Sequence, residues 1–224
     1  MKKNLLIVGA GEFADIAYEY FTVDSDYEVV GFAVETDYLT DDIKFNLPVV
    51  DLAEIETRFP PETVEVHVAV TSTQLNQVRE RLVGLMRAKG FRLASYVSSH
   101  AFVWRTATLG ENVFIFENNV IQHGVKIGDG VVLWSGNHIG HQTRIEDFCF
   151  ISSHAVISGY CTIGRRSFLG VNCTFADHVR IAADSFIGLG SVLNKSVEEP
   201  GQIITGNPAV ASKVTAYRYF KVKP

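Results

Sequence analysis

Residues 121–139 read IQHGVKIGDGVVLWSGNHI, and their large aliphatics Ile121, Ile127, Leu133 and Ile139 stand six apart. The spacing extends both ways without a break, through Val97, Val103, Leu109 and Ile115 before it and Ile145, Ile151, Ile157, Ile163, Leu169, Phe175, Ile181, Ile187 and Leu193 after it. Sixteen of these 17 positions are Val, Ile or Leu, although those types fill only 58 of the 224 residues, so coincidence is no explanation. A second pattern sits four places after each aliphatic, from Ala101 through Asn119, Thr143, Cys149, Cys161 and Cys173 to Val197, and it is never aromatic or charged. A period of six matches neither an amphipathic helix nor a two-residue alternation. It is the hexapeptide signature of a parallel β-helix, in which three hexads close a coil of about 18 residues and coils stack at roughly 4.8 Å. The large aliphatic fills the interior and the small residue turns in where the cross-section narrows. That places all three cysteines in inert packing positions and leaves no disulfide framework.

Before residue 97 the pattern is different. Asn4 to Val8, Val29 to Val34 and Val64 to Val70 read as buried strands, while Glu12 to Phe21 and Leu75 to Lys89 have helical periodicity. Strands alternating with helices indicate a small parallel α/β unit. The expected fold is therefore mixed: a Rossmann-like α/β domain over residues 1–96, then a β-helix domain with a C-terminal tail over residues 97–224.

Composition narrows the function classes. A hydrophobic share of 47% with 20% charged residues is globular. No apolar stretch approaches the roughly 18 residues of a membrane span. The apolar run after Lys2 and Lys3 ends at Glu12 and Asp15 with no cleavage-type sequence, so the chain is expected to be cytoplasmic. A net charge of −5 argues against a nucleic-acid partner, which would require clustered Lys and Arg.

Two groups of residues stand outside what the core needs. Gly9-Ala10-Gly11-Glu12-Phe13-Ala14 is a G-x-G-x-x-A at a strand-to-helix junction, where bare backbone and free N–H groups suit a phosphate. Glu35, just past the second strand, is placed to accept from a ribose hydroxyl, and Thr71 follows the third strand. This motif does not separate a nicotinamide dinucleotide from a nucleotide-sugar. The second group is histidine. His123 and His141 are each third in their hexads and 18 residues apart, so they should stack on one corner of adjacent coils, facing outward. An imidazole there suits a general base, and the N–H of Gly159, a further 18 residues on, suits a developing oxyanion. For His123, His154 and His178 the plainer reading is a surface side chain at a turn.

The α/β opening Leu6-Ile7-Val8-Gly9-Ala10-Gly11, the hexapeptide array, and Ile204-Thr205-Gly206-Asn207-Pro208-Ala209 together resemble the bacterial sugar acyltransferase family, which includes sialic acid O-acetyltransferases and N-acetyltransferases of nucleotide-linked 4-amino sugars. The resemblance covers nearly the whole chain. It implies a left-handed parallel β-helix, a homotrimer with active sites between subunits, acetyl-CoA as co-substrate and no metal. Carried onto this sequence, it makes His141 the base and Gly159 the oxyanion donor. Gln142 stands where the family often has an acidic residue orienting the base; its amide oxygen is expected to accept from the imidazole N–H without supplying charge, and a second histidine of some relatives falls at Phe150. Gly206, Asn207 and Pro208, with Lys195, Lys213 and Gly159, resemble the region along coenzyme A, and Gly9, Ala10, Gly11, Glu12, Glu35 and Thr71 become the nucleotide-sugar site.

The expected function is acetyl-CoA-dependent acetylation of a nucleotide-linked amino sugar by direct attack. O-acetylation of a sugar hydroxyl and a non-catalytic nucleotide-sugar-binding trimer are the alternatives. A dehydrogenase would leave the hexad array unexplained, and a zinc hydratase would need three converging histidines that the spacings do not present. Phe114, Phe116, Trp134, Phe148, Phe150 and Phe168 fall at outward positions and are expected to be buried against sister chains, or some of them under the N-terminal unit or the C-terminal tail. The tail from Ala211, with Tyr217, Tyr219 and Phe220, is expected to pack on a neighbour.

Overall fold

The structure is a computed structural model that describes residues 2–223. It divides into two compact units. One holds Arg79–Tyr96 and the residues up to Thr71; the other holds Ser72–Val78 and the chain from Val97 on.

The first unit is a six-stranded sheet flanked by helices. Strands β1 (Lys3–Val8), β2 (Tyr27–Val34), β3 (Ile43–Lys44), β4 (Leu47–Asp51), β5 (Glu65–Val68) and β6 (Arg92–Leu93) lie in the order β3-β4-β2-β1-β5-β6. All neighbours are parallel except the β3–β4 hairpin. Leu5, Leu6, Ile7 and Val8 are all buried, as a central parallel strand covered on both faces requires. Helix α1 (Glu12–Val23) buries Phe13, Ala14, Ala17 and Phe21 at helical spacing against that sheet. A single turn, α2 (Ile55–Arg58), precedes β5.

Helix α3 (Gln77–Ala88) starts two residues later than its periodicity suggests. Gln74, Leu75 and Asn76 all adopt positive φ, at 51°, 52° and 66°, a run of left-handed residues that a right-handed helix excludes. These residues belong to the second unit. Leu75 packs with Ile203 and Ala216, and the buried Asn76 donates from Nδ2 to the Arg166 carbonyl at 2.8 Å.

The second unit is the solenoid. Two-residue strands pair in parallel with partners 18 residues away, as Phe114 does with Val132 and His138 with Val156. They form three sheets, of five, six and eight strands, the last completed by a hairpin of Gln202–Gly206 and Ala209–Thr215. Every residue of the six-spaced series from Ile115 to Leu193, Phe175 included, lies in one core cluster. The small inward positions of these coils are buried too, and polar members donate to nearby carbonyls: Asn119 Nδ2 to that of Phe116 at 2.8 Å, although its Oδ1 is left without a partner among the described residues, and Thr143 Oγ1 to that of Ser158 at 2.9 Å. Cys149, Cys161 and Cys173 are free, buried thiols.

The turn geometry follows a third rule. Every sixth residue from Asn112 to Gly190, 14 in succession, has positive φ between 53° and 78°. Ten of these are Gly, Asn, Asp or His, types that tolerate the left-handed region. Gln142, Phe148, Tyr160 and Arg166 hold it against preference.

Of the two covers expected for the outward aromatics, the chain's own is the one the single chain shows. Phe114, Phe116, Phe148 and Phe150 are already buried in the single chain, at no more than 6% exposed. Phe168 packs with Phe186, Phe220 and Val222 around Leu75 and Ala216, so the chain's own segment and tail cover it. The tail likewise packs on its own solenoid. Helix α4 (Ala216–Phe220) follows the hairpin, and Tyr217 donates its hydroxyl to Asp184, itself gripped by Arg166 through contacts of 2.6 and 2.8 Å. Large hydrophobics that the solenoid does leave exposed include Phe102, Trp104 and Val156 on and beside its six-stranded sheet, and Val171 and Leu189 elsewhere.

Candidate active site

His141 follows the strand His138–Ile139 of the six-stranded sheet, at the corner where the coil turns toward the five-stranded one. Its backbone is held from the preceding coil, since the His141 N–H donates to Gln122 Oε1 at 2.9 Å. The side chain is exposed and leans over the following coil. A Cβ on Gly159 would lie 2.6 Å from His141 Cε1 and 2.8 Å from Nε2, so only a glycine at 159 leaves room for the ring. Tyr160 meets the ring at 84° with centroids 5.1 Å apart, and Tyr160 in turn stacks on His178 at 5.0 Å and 11°. Neither His141 ring nitrogen has a hydrogen-bond partner among the described residues, which leaves both for a substrate.

His123 lies on the same corner one coil earlier, its carbonyl accepting from the Gln142 N–H. Its ring turns the other way, with Nδ1 2.8 Å from Thr106 Oγ1. His154 covers Gly136 at another corner, and Phe150 is a buried side chain on the eight-stranded sheet.

Two roles expected at this corner do not fit. Gln142 does not reach the His141 ring; its amide lies over Gly124, where a Cβ would come within 2.6 Å of Nε2. The left-handed backbone sends the side chain toward the preceding coil, as it does for Phe148 over Gly130 and His154 over Gly136. The N–H of Gly159 is engaged as well, donating to Asp177 Oδ1 at 2.8 Å. That bond is a feature of the repeat: Glu111 donates in the same way to Asp129, and Asp129 to Asp147, each at 2.9 Å.

The residues expected along coenzyme A separate into two groups. Lys195 lines a cavity of about 300 Å³ at the end of the solenoid, with Leu193, Val197, Gln202, Ile204 and Ala211. Gly206, Asn207 and Pro208 form the exposed hairpin turn, and Lys213 is exposed on its second strand; none of them lines the cavity, nor does His141. The imidazole thus stands on an open edge of the single chain.

In the α/β unit the C-terminal ends of β1, β2 and β5 bring three loops side by side. The sheet order changes direction between β1 and β5, the switch point at which open α/β sheets bind ligands. Gly9 has φ +125°, and a Cβ there would lie 2.8 Å from the Ala69 carbonyl oxygen, so a glycine lets the two loops approach. Gly11 caps α1 without a side-chain hydrogen bond, but Glu12 and Asp15 occupy its first turn, and their charge opposes an anion there. Glu35 is not a lone acceptor: Arg81 donates to both its oxygens at 2.8 Å, which holds the carboxyl below its usual range. The buried Arg79 donates to the Val70 and Thr71 carbonyls at 3.1 and 2.6 Å and so shapes the Thr71 loop. Arg79 and Arg81 stand two apart on α3, and nothing in the residue pattern distinguishes the fully buried one from the exposed one. Among the described residues no three His, Cys, Asp or Glu side chains converge as for a metal ion, and no helix is long and apolar enough to cross a membrane.

Residues 106–141 match the family model described as bacterial transferase hexapeptide (six repeats). Among solved structures, the acetyltransferase domain of PglB from Neisseria gonorrhoeae FA1090 is similar, with a TM-score of 0.83 at 24% identity over 94% of this chain and 100% of that one. PerB from Caulobacter crescentus, solved with CoA and GDP-perosamine, has a TM-score of 0.83 at 24% identity over 93% of this chain and 97% of that one. WeeI from Acinetobacter baumannii AYE has a TM-score of 0.76 at 19% identity over 94% and 100% of the two chains. No curated protein matches the sequence. At these identities the likeness establishes the fold: an α/β unit joined to a hexapeptide-repeat β-helix.

Proposed function

We propose that the chain is an acetyltransferase that moves the acetyl group of acetyl-CoA to the amino group of a nucleotide-linked amino sugar. The observation that carries this reading is the His141 imidazole, seated in the space left by Gly159 on an exposed corner with both ring nitrogens unpaired. Two similar structures support the ligand classes: the PglB domain was solved with acetyl coenzyme A, and PerB with CoA and GDP-perosamine.

The chemistry is a direct transfer. The sugar nitrogen attacks the thioester carbon, His141 takes a proton from that nitrogen as the C–N bond forms, and the C–S bond breaks as that proton passes from His141 to the sulfur, which releases coenzyme A as the thiol and restores the neutral imidazole. A covalent intermediate on cysteine is disfavoured, because the three cysteines are buried and burial raises the thiols of Cys161 and Cys173 above their usual range. Gly159 contributes space for the ring, and its engaged N–H is given no oxyanion role. The nucleotide end of the sugar is assigned to the β1/β5 switch point, at Gly9, Ala10, Gly11 and Thr71, with Glu35 acting as an ion pair with Arg81. Coenzyme A is assigned to the corner above His141 and to Lys195, with the Gly206–Pro208 turn and Lys213. The active form is a homotrimer, supported by the exposed Phe102, Trp104 and Val156 beside the His141 corner, and the chain works in the cytoplasm.

The test is acetyl transfer from acetyl-CoA across a panel of nucleotide-linked amino sugars, following thiol release. His141→Asn should retain the parent melting temperature and lose about 10²-fold or more in turnover. Parent-like turnover in that variant removes His141 from the reaction. Light scattering of the same sample should give three times the chain mass.

A further inference from the structure

We infer that Tyr160 is the positioning residue for the His141 imidazole, and that its ring takes the place of the carboxylate that Gln142 does not supply. The inference rests on His141 acting as the base. A base that accepts a proton must be held in one orientation and must be stabilised as it becomes a cation. At this corner no described side chain hydrogen-bonds the ring, and Gln142 points toward the preceding coil. What the ring does touch is aromatic.

Three observations converge on Tyr160. Its ring is perpendicular to that of His141 at 5.1 Å between centroids, within the range of favourable edge-to-face contacts. Coils stack in order, so His141 approaches Tyr160 from the coil before and His178 from the coil after, where it stacks nearly parallel at 5.0 Å. Tyr160 is therefore itself braced. Its backbone is held as well: the Tyr160 N–H donates to the His141 carbonyl at 2.9 Å, and φ is +57°, a conformation a tyrosine does not choose unaided. A side chain kept against its preference, exposed at 51% and joined to the imidazole on an otherwise repetitive turn, is not explained by core packing. An aromatic face within about 6 Å also attracts positive charge, and a perpendicular contact in which the imidazolium edge meets the Tyr160 face places the charge that appears as the proton arrives there.

The experiment compares Tyr160→Phe, which keeps the ring, with Tyr160→Asn, which removes it and tolerates the left-handed backbone, so that folding is spared. The expected result is that Tyr160→Asn lowers kcat about tenfold, with KM for acetyl-CoA and for the nucleotide sugar within about twofold of the parent, while Tyr160→Phe keeps parent kcat. In parallel, the His141 Cε1–Hε1 resonance, assigned by its absence in His141→Asn, should move in Tyr160→Asn and stay in Tyr160→Phe. Parent kcat and an unmoved resonance in Tyr160→Asn overturn the inference, and so does an equal loss in both variants, which would point to the hydroxyl. Should the parent chain transfer acetyl to no nucleotide sugar, the function reading fails on that control alone. The resonance arm still decides whether Tyr160 holds the ring.

Discussion

Two corners of the solenoid build the same turn from different residues. Where the five-stranded sheet turns into the eight-stranded one, the third hexad positions include Glu111, Asp129, Asp147 and Arg165, and three of their N–H groups are capped by side chains of neighbouring coils: Glu111 by Asp129, Asp129 by Asp147, and Arg165 by Glu146 at 3.1 Å. At the other corner Gln122 caps His141 and Asp177 caps Gly159. Both corners thus draw caps for their backbone from neighbouring coils. They differ in what the glycines make room for: Gly110 and Gly128 admit the capping carboxylates of Asp129 and Asp147, whereas Gly159 admits an imidazole that caps nothing. A side chain for which the repeat clears space without using it for support is a candidate for chemistry.

Exchanging the space at the two corners is the strongest way to break this contrast. In Gly159→Ala the new Cβ falls 2.6 Å from a ring that can swing aside, so stability should change by less than about 1 kcal/mol while the imidazole is displaced. Turnover should fall about 10²-fold, as misplacement of a catalytic group by an ångström does. In Gly128→Ala the Cβ meets Asp147 Oδ1 at 2.3 Å and the Asp147 backbone nitrogen at 2.7 Å, and backbone cannot give way. That variant should lose about 1–3 kcal/mol of stability and keep parent turnover per folded molecule. Steady-state transfer and thermal melting on both proteins check the pair; a reversed outcome means that the corners do not divide support from chemistry as described.

Removing the caps sharpens the comparison with a smaller effect. Asp147→Ala and Asp177→Ala each leave one N–H without its acceptor and should each cost about 1 kcal/mol in denaturant unfolding. Neither should change turnover more than about threefold. A clear rise in turnover for Asp177→Ala would show that the freed Gly159 N–H serves the reaction after all, and that the two carboxylates differ in kind.

What was legible in the sequence follows from what the repeat repeats. Interior packing recurs every six residues, so the coil, its inward aliphatics and the small positions of Cys149, Cys161 and Cys173 could be read directly. So could the shared corner of His123 and His141, because 18 residues make one coil. The same spacing applied to polar residues would have found the Asp129–Asp147 and Gly159–Asp177 caps. Gln142 was misread because a left-handed residue directs its side chain to the preceding coil, and that conformation leaves only a partial trace: Gly or Asn at some turns, Tyr160 or Arg166 at others. Alternation identifies Phe114 and Phe150 as outward but cannot say that the chain itself covers them. Leu75 and Asn76 carried helical periodicity while folding as a left-handed turn buried in the second unit, a case of tertiary contacts overriding local pattern.

The smallest expected effect tests what the two corners share, the interior behind them. Cys173 sits at a small inward position, and burial pushes its thiol up to about 12. At pH 8 its thiolate fraction is then about 10⁻⁴, and the thiolate is the species that reacts. Cys149 and Cys161 are equally enclosed, with thiols directed at the carbonyls of Gly164 and Ala176 at 3.2 Å. A disulfide reagent at pH 8 should therefore release no colour from the native chain over minutes and react with all three cysteines in denaturant. Substrates should not alter this, because the corner chemistry takes place outside the coil. Rapid labelling of one native thiol would mean that the coil opens at that level, and that a corner cannot be treated as a rigid mount for His141.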